Sequence, residues 1–236
     1  MWGIYGLSGK DYSNLGLNHP YTLSSAAIFG ALAAILAVLP LSFPFPILPY
    51  LKFDLAELPV TIAFLLYGPI PGVISSLIYW IVLNFVGSFA PIGPAMKFAS
   101  VISMVVGMWV GLVVLRRITS RRTLMLVSAI AFGMILRVIV MSIFNYVVLL
   151  ILFPFFLDFA AKSLSSSLGY SFSSQMEALI VSLIVTAIFN IIHVVVSVIP
   201  SFAIASSLSM RGVVARIGAP WITLCIKGSK TLSKHT

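Results

Sequence analysis

Long apolar stretches, separated by short polar or proline-rich segments, run through most of the chain and predict membrane-spanning helices. A helix needs about 20 apolar residues to cross the hydrocarbon core of a bilayer. Most of the stretches approach or exceed that length, and glycine, proline or charged residues mark their ends. The predicted helices are residues 21–41, 54–67, 71–86, 94–115, 123–152 and 174–208. We therefore predict an all-α integral membrane protein in which residues 21–208 form a bundle of six transmembrane helices.

Polar residues near the helix ends refine these boundaries. Asp54 with Glu57, and Ser174 with Glu177, have the spacing of a capping box, in which two side chains three residues apart bond backbone amides at the start of a helix. The second helix is short, at roughly 21 Å. The serine-rich residues 153–173 are expected to form a long loop before the last helix.

The composition supports a membrane protein and excludes several other classes. Of the 236 residues, 61% are hydrophobic and 8% are charged, whereas a soluble domain is about 45–50% apolar and about 25% charged. A soluble globular enzyme, a disordered chain and a coiled coil are thereby excluded. The single cysteine, Cys225, excludes a disulfide within the chain and a thiolate metal cluster. We expect neither a metal site nor a cofactor.

The net charge of +9 is explained by where the Lys and Arg residues lie. With six helices both termini lie on one side, and that side carries ten Lys and Arg against three on the other. Because cytoplasmic loops are enriched in Lys and Arg, we predict that both termini are cytoplasmic. Residues 1–20 then form a cytoplasmic N-terminal segment, and residues 209–236 form a basic cytoplasmic tail. Nucleic-acid binding is not needed to explain the charge.

The connections predicted on the outer side are the unusual ones. Residues 42–53, 87–93 and 153–173 are rich in proline, aromatic or small polar residues. Long structured loops often carry function. We therefore expect a binding site that opens to the outside. Since charged residues are few, we expect it to consist mainly of neutral polar groups and aromatic side chains.

Neutral polar side chains inside the predicted fifth and sixth helices are the first candidates for that site. Asn190 and His193 are three residues apart and share a helix face, and Asn145 is followed by Tyr146. An asparagine offers both a donor and an acceptor, so this set predicts recognition of a planar polar ligand. The alternative is hydrogen bonding between helices, which such residues often provide in membranes.

Charged residues within or beside the helices have two interpretations each. Arg137 lies mid-helix, where an arginine costs about 2.5–3.5 kcal/mol on insertion scales. It therefore faces the bundle, either as a structural residue or toward a ligand. Lys97 lies near the outer start of the fourth helix, where it either snorkels to the interface or contacts a ligand. Asp54 is either a helix cap or part of the site.

Small residues form a stripe on the first helix, and catalytic motifs are missing from the chain. Ala27 and Ala31, with Gly30 and Ala34 beside them, serve either internal packing or docking of another membrane protein.

No HExxH, no pair of intramembrane aspartates and no phosphate-binding glycine loop occurs. His193 could pair with a serine for hydrolysis, but no serine of the chain lies in a Gly-x-Ser-x-Gly context. We therefore expect no enzyme, and active transport would need an ATPase partner.

Several motifs together resemble the substrate-binding (S) component of energy-coupling factor (ECF) vitamin transporters, and most of all the riboflavin-type members. The resemblance covers residues 21–208, and the order and spacing of the motifs make it specific. The motifs are Tyr50-Leu51-Lys52-Phe53-Asp54, Glu57-Leu58-Pro59, Tyr67-Gly68-Pro69 with Gly72-Val73, Pro91-Ile92-Gly93, Met96-Lys97-Phe98, Asn145-Tyr146-Val147-Val148-Leu149-Leu150 and Phe189-Asn190-Ile191-Ile192-His193.

The resemblance implies a six-helix protein of the cell membrane that binds a vitamin near its outer face, under the outer loops. It also implies docking of the first helix onto a transmembrane coupling subunit that carries two cytosolic ATPases. In this chain the docking stripe corresponds to Ala27 and Ala31, with Gly30 and Ala34 adjacent. The implied substrate-binding residues are Asn190, His193, Asn145, Tyr146, Lys97, Phe53 and Asp54.

Two positions depart from the riboflavin-type pattern. Lys97 stands where that pattern has asparagine, and His193 where it has lysine. We predict a subunit that captures riboflavin or a related flavin for ATP-driven uptake. The alternatives are another vitamin or heterocyclic precursor within the same family, and, from different classes, an intramembrane enzyme or a structural membrane subunit.

Overall fold

Seven helices and one short β-hairpin make up the part of the chain that the computed structural model describes, residues 20–39, 41–87, 89–115, 118–119 and 121–210. The predicted N-terminal segment and basic tail lie almost entirely outside these residues. The helices are α1 (Pro20–Val38), α2 (Glu57–Tyr67), α3 (Pro69–Val86), α4 (Ile92–Leu115), α5 (Arg122–Tyr146), α6 (Pro154–Leu168) and α7 (Gln175–Met210). A π-helical turn, Val147–Leu152, extends α5.

Four helices are long and apolar enough to cross a membrane, counting only the described part of the chain. They are Pro69–Val86, Ile92–Leu115, Thr123–Leu152 and Gln175–Leu208. Two shorter apolar helices, Thr22–Val38 and Glu57–Tyr67, accompany them. The prediction of a helical, multi-pass membrane protein is thus confirmed.

The two faces of α5 show how the sequence pattern sets the orientation of a helix. Ile135, Ile139 and Ile143 recur every four residues and are all more than half exposed, as expected of a lipid-facing surface. The opposite face carries buried residues that point into the bundle, namely Arg137, Met141 and Asn145.

A hairpin precedes α2 and shortens it relative to the prediction. β1 (Ser42–Pro44) pairs antiparallel with β2 (Lys52–Asp54), and Phe43 lies opposite Phe53. Because residues 52–54 are extended in this pair, α2 begins at Glu57 and not at residue 54. The connection to α3 is a single residue, Gly68, whose φ of 101° is readily accessible only to glycine.

Glycines bring α4 and α5 into close contact. A Cβ atom added to Gly107 would lie 2.5 Å from the carbonyl oxygen of Phe132, and one added to Gly111 would lie 2.6 Å from that of Ser128. The Ser128 hydroxyl donates to the Gly111 carbonyl at 2.9 Å. Small residues that let backbones approach are the usual basis of helix packing in membranes, so this pair forms a rigid side of the bundle.

The predicted loop at residues 153–173 contains a helix, α6. Pro154 stands at its first position, where the missing N–H costs nothing, and Gly169 ends it in a left-handed conformation with φ of 67°. Leu157, Ala160 and Leu164 are spaced as one helical stripe and are buried. Because the segment is rich in serine, the sequence favoured a loop, and this apolar stripe was not recognised.

Candidate functional site

A cavity of about 400 Å³ lies at one end of the helix bundle. The C-terminal parts of α1, α3 and α5 and the N-terminal parts of α4 and α7 line it, together with the hairpin and α6. Its wall is mainly apolar and carries four phenylalanines, Phe89, Phe156, Phe159 and Phe189. A mostly apolar cavity of this size with a few polar groups is typical of a small-molecule site.

Glu57, the first residue of α2, lies beneath this cavity at the centre of a buried ionic cluster. Its carboxylate is fully buried and accepts hydrogen bonds from Arg137 Nη1 at 2.7 Å and Nη2 at 3.0 Å. Lys97 Nζ donates to it at 2.6 Å and the Ser197 hydroxyl at 3.0 Å. Lys97 also pairs with Asp54 at 2.8 Å. Two carboxylates therefore balance two cations.

Arg137 extends the cluster to α7. Its Nε donates to Asn190 Oδ1 at 2.9 Å, and its Nη2 lies 3.1 Å from Nδ1 of His193. Because a guanidinium only donates, Nδ1 is the acceptor and the neutral imidazole carries its proton on Nε2. Nε2 lies 3.5 Å from a Glu57 oxygen but makes no hydrogen bond within the described residues. Arg137 thus has the partners that its position in α5 requires.

The capping-box prediction for Asp54 and Glu57 is wrong. The residue before α2 is Ala56, which makes no side-chain cap, and Glu57 turns inward to Arg137 and Lys97. Asp54 accepts from the Ala56 amide at 3.1 Å through one oxygen and holds Lys97 with the other. The expectation of a site built mainly from neutral polar groups and aromatic side chains stays a prediction, and charged side chains, among them Asp54, Lys97 and Arg137, also line the cavity.

The second capping box is present. The Ser174 hydroxyl accepts from the Glu177 amide at 3.2 Å, while the Glu177 carboxylate accepts from the Ser173 amide at 2.8 Å. Tyr170 also donates to Glu177. These bonds fix the start of α7, the helix that carries the candidate amide Asn190.

Of the substrate-binding residues predicted from sequence, four line the cavity: Asp54, Lys97, Asn145 and Asn190. Asn145 donates to the Met141 carbonyl of its own helix at 2.7 Å. The other three predicted residues are not among those that line it. Phe53 and His193 pack edge-on beside the cavity with ring centroids 5.3 Å apart, and Tyr146 is 43% exposed.

Sequence reasoning missed several residues of the cavity. Thr186 lies one helical turn before Asn190 on the same face, and that spacing was a usable signal. Tyr50 belongs to a motif quoted above, but nothing in that motif indicated that its ring reaches the cavity. Burial raises the pKa of Tyr50 to about 12, so its phenol keeps a proton that it can donate. For Tyr79 and the four phenylalanines, no sequence pattern distinguished a residue that lines the cavity from one that only packs in the bundle.

The small-residue stripe of α1 divides into two faces. Gly30 and Ala34 are buried, and a Cβ atom added to Gly30 would lie 2.8 Å from Cβ of Ile78 in α3. Ala27 and Ala31 are exposed on the adjoining flank of the helix, about 60° further around its axis. The inner pair therefore serves packing against α3, and the outer pair remains available to a partner.

Comparisons with known proteins agree with this architecture. The family model described as "ECF transporter, substrate-specific component" matches residues 22–205. The riboflavin transporter FmnP of Bacillus subtilis (strain 168) is 33% identical over 131 residues, which is 53% of this chain and 66% of that protein, a little under two thirds of its length. The riboflavin transporter RibU of Staphylococcus aureus (strain TCH60) is 28% identical over 156 residues, 65% of this chain and 77% of that protein.

A solved structure described as the S component of a bacterial ECF transporter has a similar fold. It matches with a TM-score of 0.60 and 23% identity and covers 79% of this chain and 94% of its own. At that identity the likeness concerns the fold.

Proposed function

The chain belongs to the family of substrate-specific components of ECF transporters, and from that premise we propose that it captures riboflavin or a related flavin for uptake. The cavity of about 400 Å³, with an aromatic wall and a polar floor, carries this proposal. A flavin combines a flat ring that bears carbonyl and imide groups with a hydroxylated side chain. The names of the two relatives above, both riboflavin transporters, support the same ligand.

The polar floor of the cavity suits a neutral planar ligand. Arg137 and Lys97 are already held by the carboxylates of Glu57 and Asp54. They are therefore not free positive charges: all five N–H groups of Arg137 already have acceptors, whereas Lys97 keeps one N–H that a ligand could accept. Asn145 keeps an acceptor oxygen and a second N–H beside the cavity. Such a floor can form hydrogen bonds with alternating donor and acceptor groups on one edge of the ligand's ring.

The proposed topology has six crossings, α1 to α5 and α7, with both termini in the cytoplasm. α6 and the β1–β2 hairpin then lie on the outer side, where the cavity opens. The excess of Lys and Arg in the α4–α5 connection and in the two terminal segments, all on the other side, supports this orientation. Ligand would enter from outside and rest between the ends of α4, α5 and α7.

The proposed partners are a transmembrane coupling subunit and two ATPase subunits. A binding component without a nucleotide site needs such partners for ATP-driven uptake. The exposed residues Ala27 and Ala31 of α1 offer them a flat strip of small side chains, flanked by the lipid-facing residues Ile28 and Ile35.

A matched pair of asparagine variants tests the ligand site. Asn145 and Asn84 each donate to the carbonyl of their own helix one turn earlier, at 2.7 and 2.8 Å, but only Asn145 lines the cavity. The protein is purified in mild detergent and titrated with riboflavin, with quenching of flavin fluorescence as the signal. Asn145→Leu should weaken binding tenfold or more, whereas Asn84→Leu should leave the Kd within twofold.

A different vitamin is the second candidate, favoured by the two departures from the riboflavin-type pattern at Lys97 and His193. No binding of micromolar riboflavin by the wild-type protein would remove the flavin proposal and leave the family unchanged. A thermal-shift screen of heterocyclic vitamins would then identify the ligand.

A further inference from the structure

Two hydroxyl groups at the cavity wall lack a hydrogen-bond partner within the described part of the chain. They are Oγ1 of Thr186 in α7 and the phenol oxygen of Tyr50 in the turn of the hairpin. Neither oxygen is accessible to water, from bulk or from the cavity, and Thr186 is only 2% exposed. A buried polar group without a partner destabilises a fold. Two such groups beside one cavity therefore call for a functional explanation.

Other buried hydroxyls of the bundle show that a partner is easily found in a helix. Ser182 and Ser201, on the same helix as Thr186, each donate to the carbonyl four residues earlier at 2.7 Å. Thr61 in α2 does the same at 2.9 Å. This bond is open to any serine or threonine within a helix. Thr186 does not make it, so its hydroxyl stays free for something outside the helix.

The position of Thr186 indicates what that partner is. Asn190 donates to the Thr186 carbonyl at 2.9 Å, and Thr186 lies about 6 Å further toward the N-terminal end of α7. That end of α7 forms the cavity wall, whereas Arg137 and Lys97 form the floor around Asn190. Thr186 borders the same cavity as the floor, and the turn that carries Tyr50 lies at the same end of the bundle, so a ligand that fills the cavity from the floor would lie beside both.

We propose that Thr186 and Tyr50 are specificity-determining residues whose hydroxyls hydrogen-bond the bound ligand. This inference rests on the proposed function, since it takes the cavity as the flavin site. A flavin supplies hydroxyl groups on its side chain and carbonyl oxygens on its ring, and either can pair with a hydroxyl. The ligand-free protein then carries two unpaired hydroxyls that only ligand satisfies.

The test compares Thr186→Val with Thr61→Val. Both threonines are buried in helices and valine has nearly the same shape, but the Thr61 hydroxyl is bonded and does not line the cavity. Two quantities are measured, the Kd for riboflavin and the melting temperature of the ligand-free protein. Thr186→Val should weaken binding about five- to 100-fold while the melting temperature stays unchanged or rises. Thr61→Val should leave the Kd within twofold and lower the melting temperature.

Tyr50→Phe is the second variant, and it should weaken riboflavin binding without lowering the ligand-free melting temperature. A Kd within twofold of wild type for both Thr186→Val and Tyr50→Phe would overturn the inference. Failure of the wild-type protein to bind riboflavin would instead refute the proposed function, and the melting temperatures would then show whether the Thr186 hydroxyl has a structural role. If Thr186→Val then melts as low as Thr61→Val, the Thr186 hydroxyl is structural and the inference is wrong.

Discussion

Replacing Glu57 with glutamine should destabilise the protein by several kcal/mol. The buried carboxylate accepts four hydrogen bonds, at 2.6–3.0 Å, from Arg137, Lys97 and Ser197. A glutamine keeps one acceptor oxygen and turns an N–H₂ donor toward groups that are themselves donors. The cluster also changes from charge-balanced to a net charge of about +1, because only Asp54 remains opposite the two cations.

The magnitude follows from the burial of the pair. Removing one partner of a buried ion pair costs about 3–5 kcal/mol, and Glu57 and Arg137 are both within 1% of complete burial. Since Asp54 still neutralises Lys97, we expect the lower end, about 3 kcal/mol. At about 2–4 °C per kcal/mol, the melting temperature should fall by about 6–12 °C. Thermal unfolding in detergent micelles, followed by circular dichroism, measures this shift.

A double-mutant cycle separates the ionic interaction from a general loss of packing. Arg137→Gln alone should cost as much as Glu57→Gln, because it leaves Glu57 with too little positive charge. The double variant restores charge balance. Its loss in free energy of unfolding should therefore be smaller than the sum of the two single losses by about 2 kcal/mol or more. Losses that simply add, or a Glu57→Gln shift below about 2 °C, would refute the assignment of Glu57 as the centre of the cluster.

Two further changes probe the mouth of the cavity and the proposed docking face. Asp54→Asn removes the 2.8 Å ion pair between the hairpin and Lys97, so riboflavin should dissociate about tenfold faster in stopped-flow fluorescence. Asp158→Asn, an exposed carboxylate of α6 away from the cavity, should leave the rate unchanged. Ala27→Trp should leave riboflavin binding within twofold but lower uptake at least tenfold in cells that express the coupling subunits. Full uptake by Ala27→Trp would contradict the docking face proposed on α1. An unchanged dissociation rate for Asp54→Asn would contradict the role of the Asp54–Lys97 pair at the mouth of the cavity.

Helix periodicity was sufficient to predict most of the fold. All six predicted helices correspond to helices of the structure with boundaries shifted by a few residues, and α2 was recognised as short. The α6 segment was missed because it begins with a proline, Pro154, and is rich in serine, so that only three buried residues form its apolar stripe. Such a helix is stabilised by packing against α7, which periodicity over a few turns cannot reveal.

The sequence indicated several individual residues of the candidate site but not the hydrogen bonds and ion pairs that connect them. Arg137 was expected to need a partner because of its cost in a membrane, yet its partner Glu57 lies 80 residues away. At the start of an apolar helix a glutamate has a local explanation as a cap, and local spacing contains no information on a contact over that distance. Tyr146, named as a ring that could stack on the ligand, stays a prediction; it is 43% exposed and not among the residues that line the cavity, since adjacent residues on a helix point in different directions.

The ionic cluster also sets an order of events during synthesis of the protein. Glu57 enters the membrane region first, and Lys97 follows it by 40 residues and Arg137 by 80. The acidic residue can therefore be neutralised in two steps, first by α4 and then by α5. Until α5 is inserted, the three cluster residues already made, Asp54, Glu57 and Lys97, have one negative charge in excess, and α5 alone would carry Arg137 unpaired. We expect a chain truncated before α5 to be held by the insertion machinery or degraded, so that the ionic cluster beneath the proposed ligand site would also act as a checkpoint for completed membrane insertion.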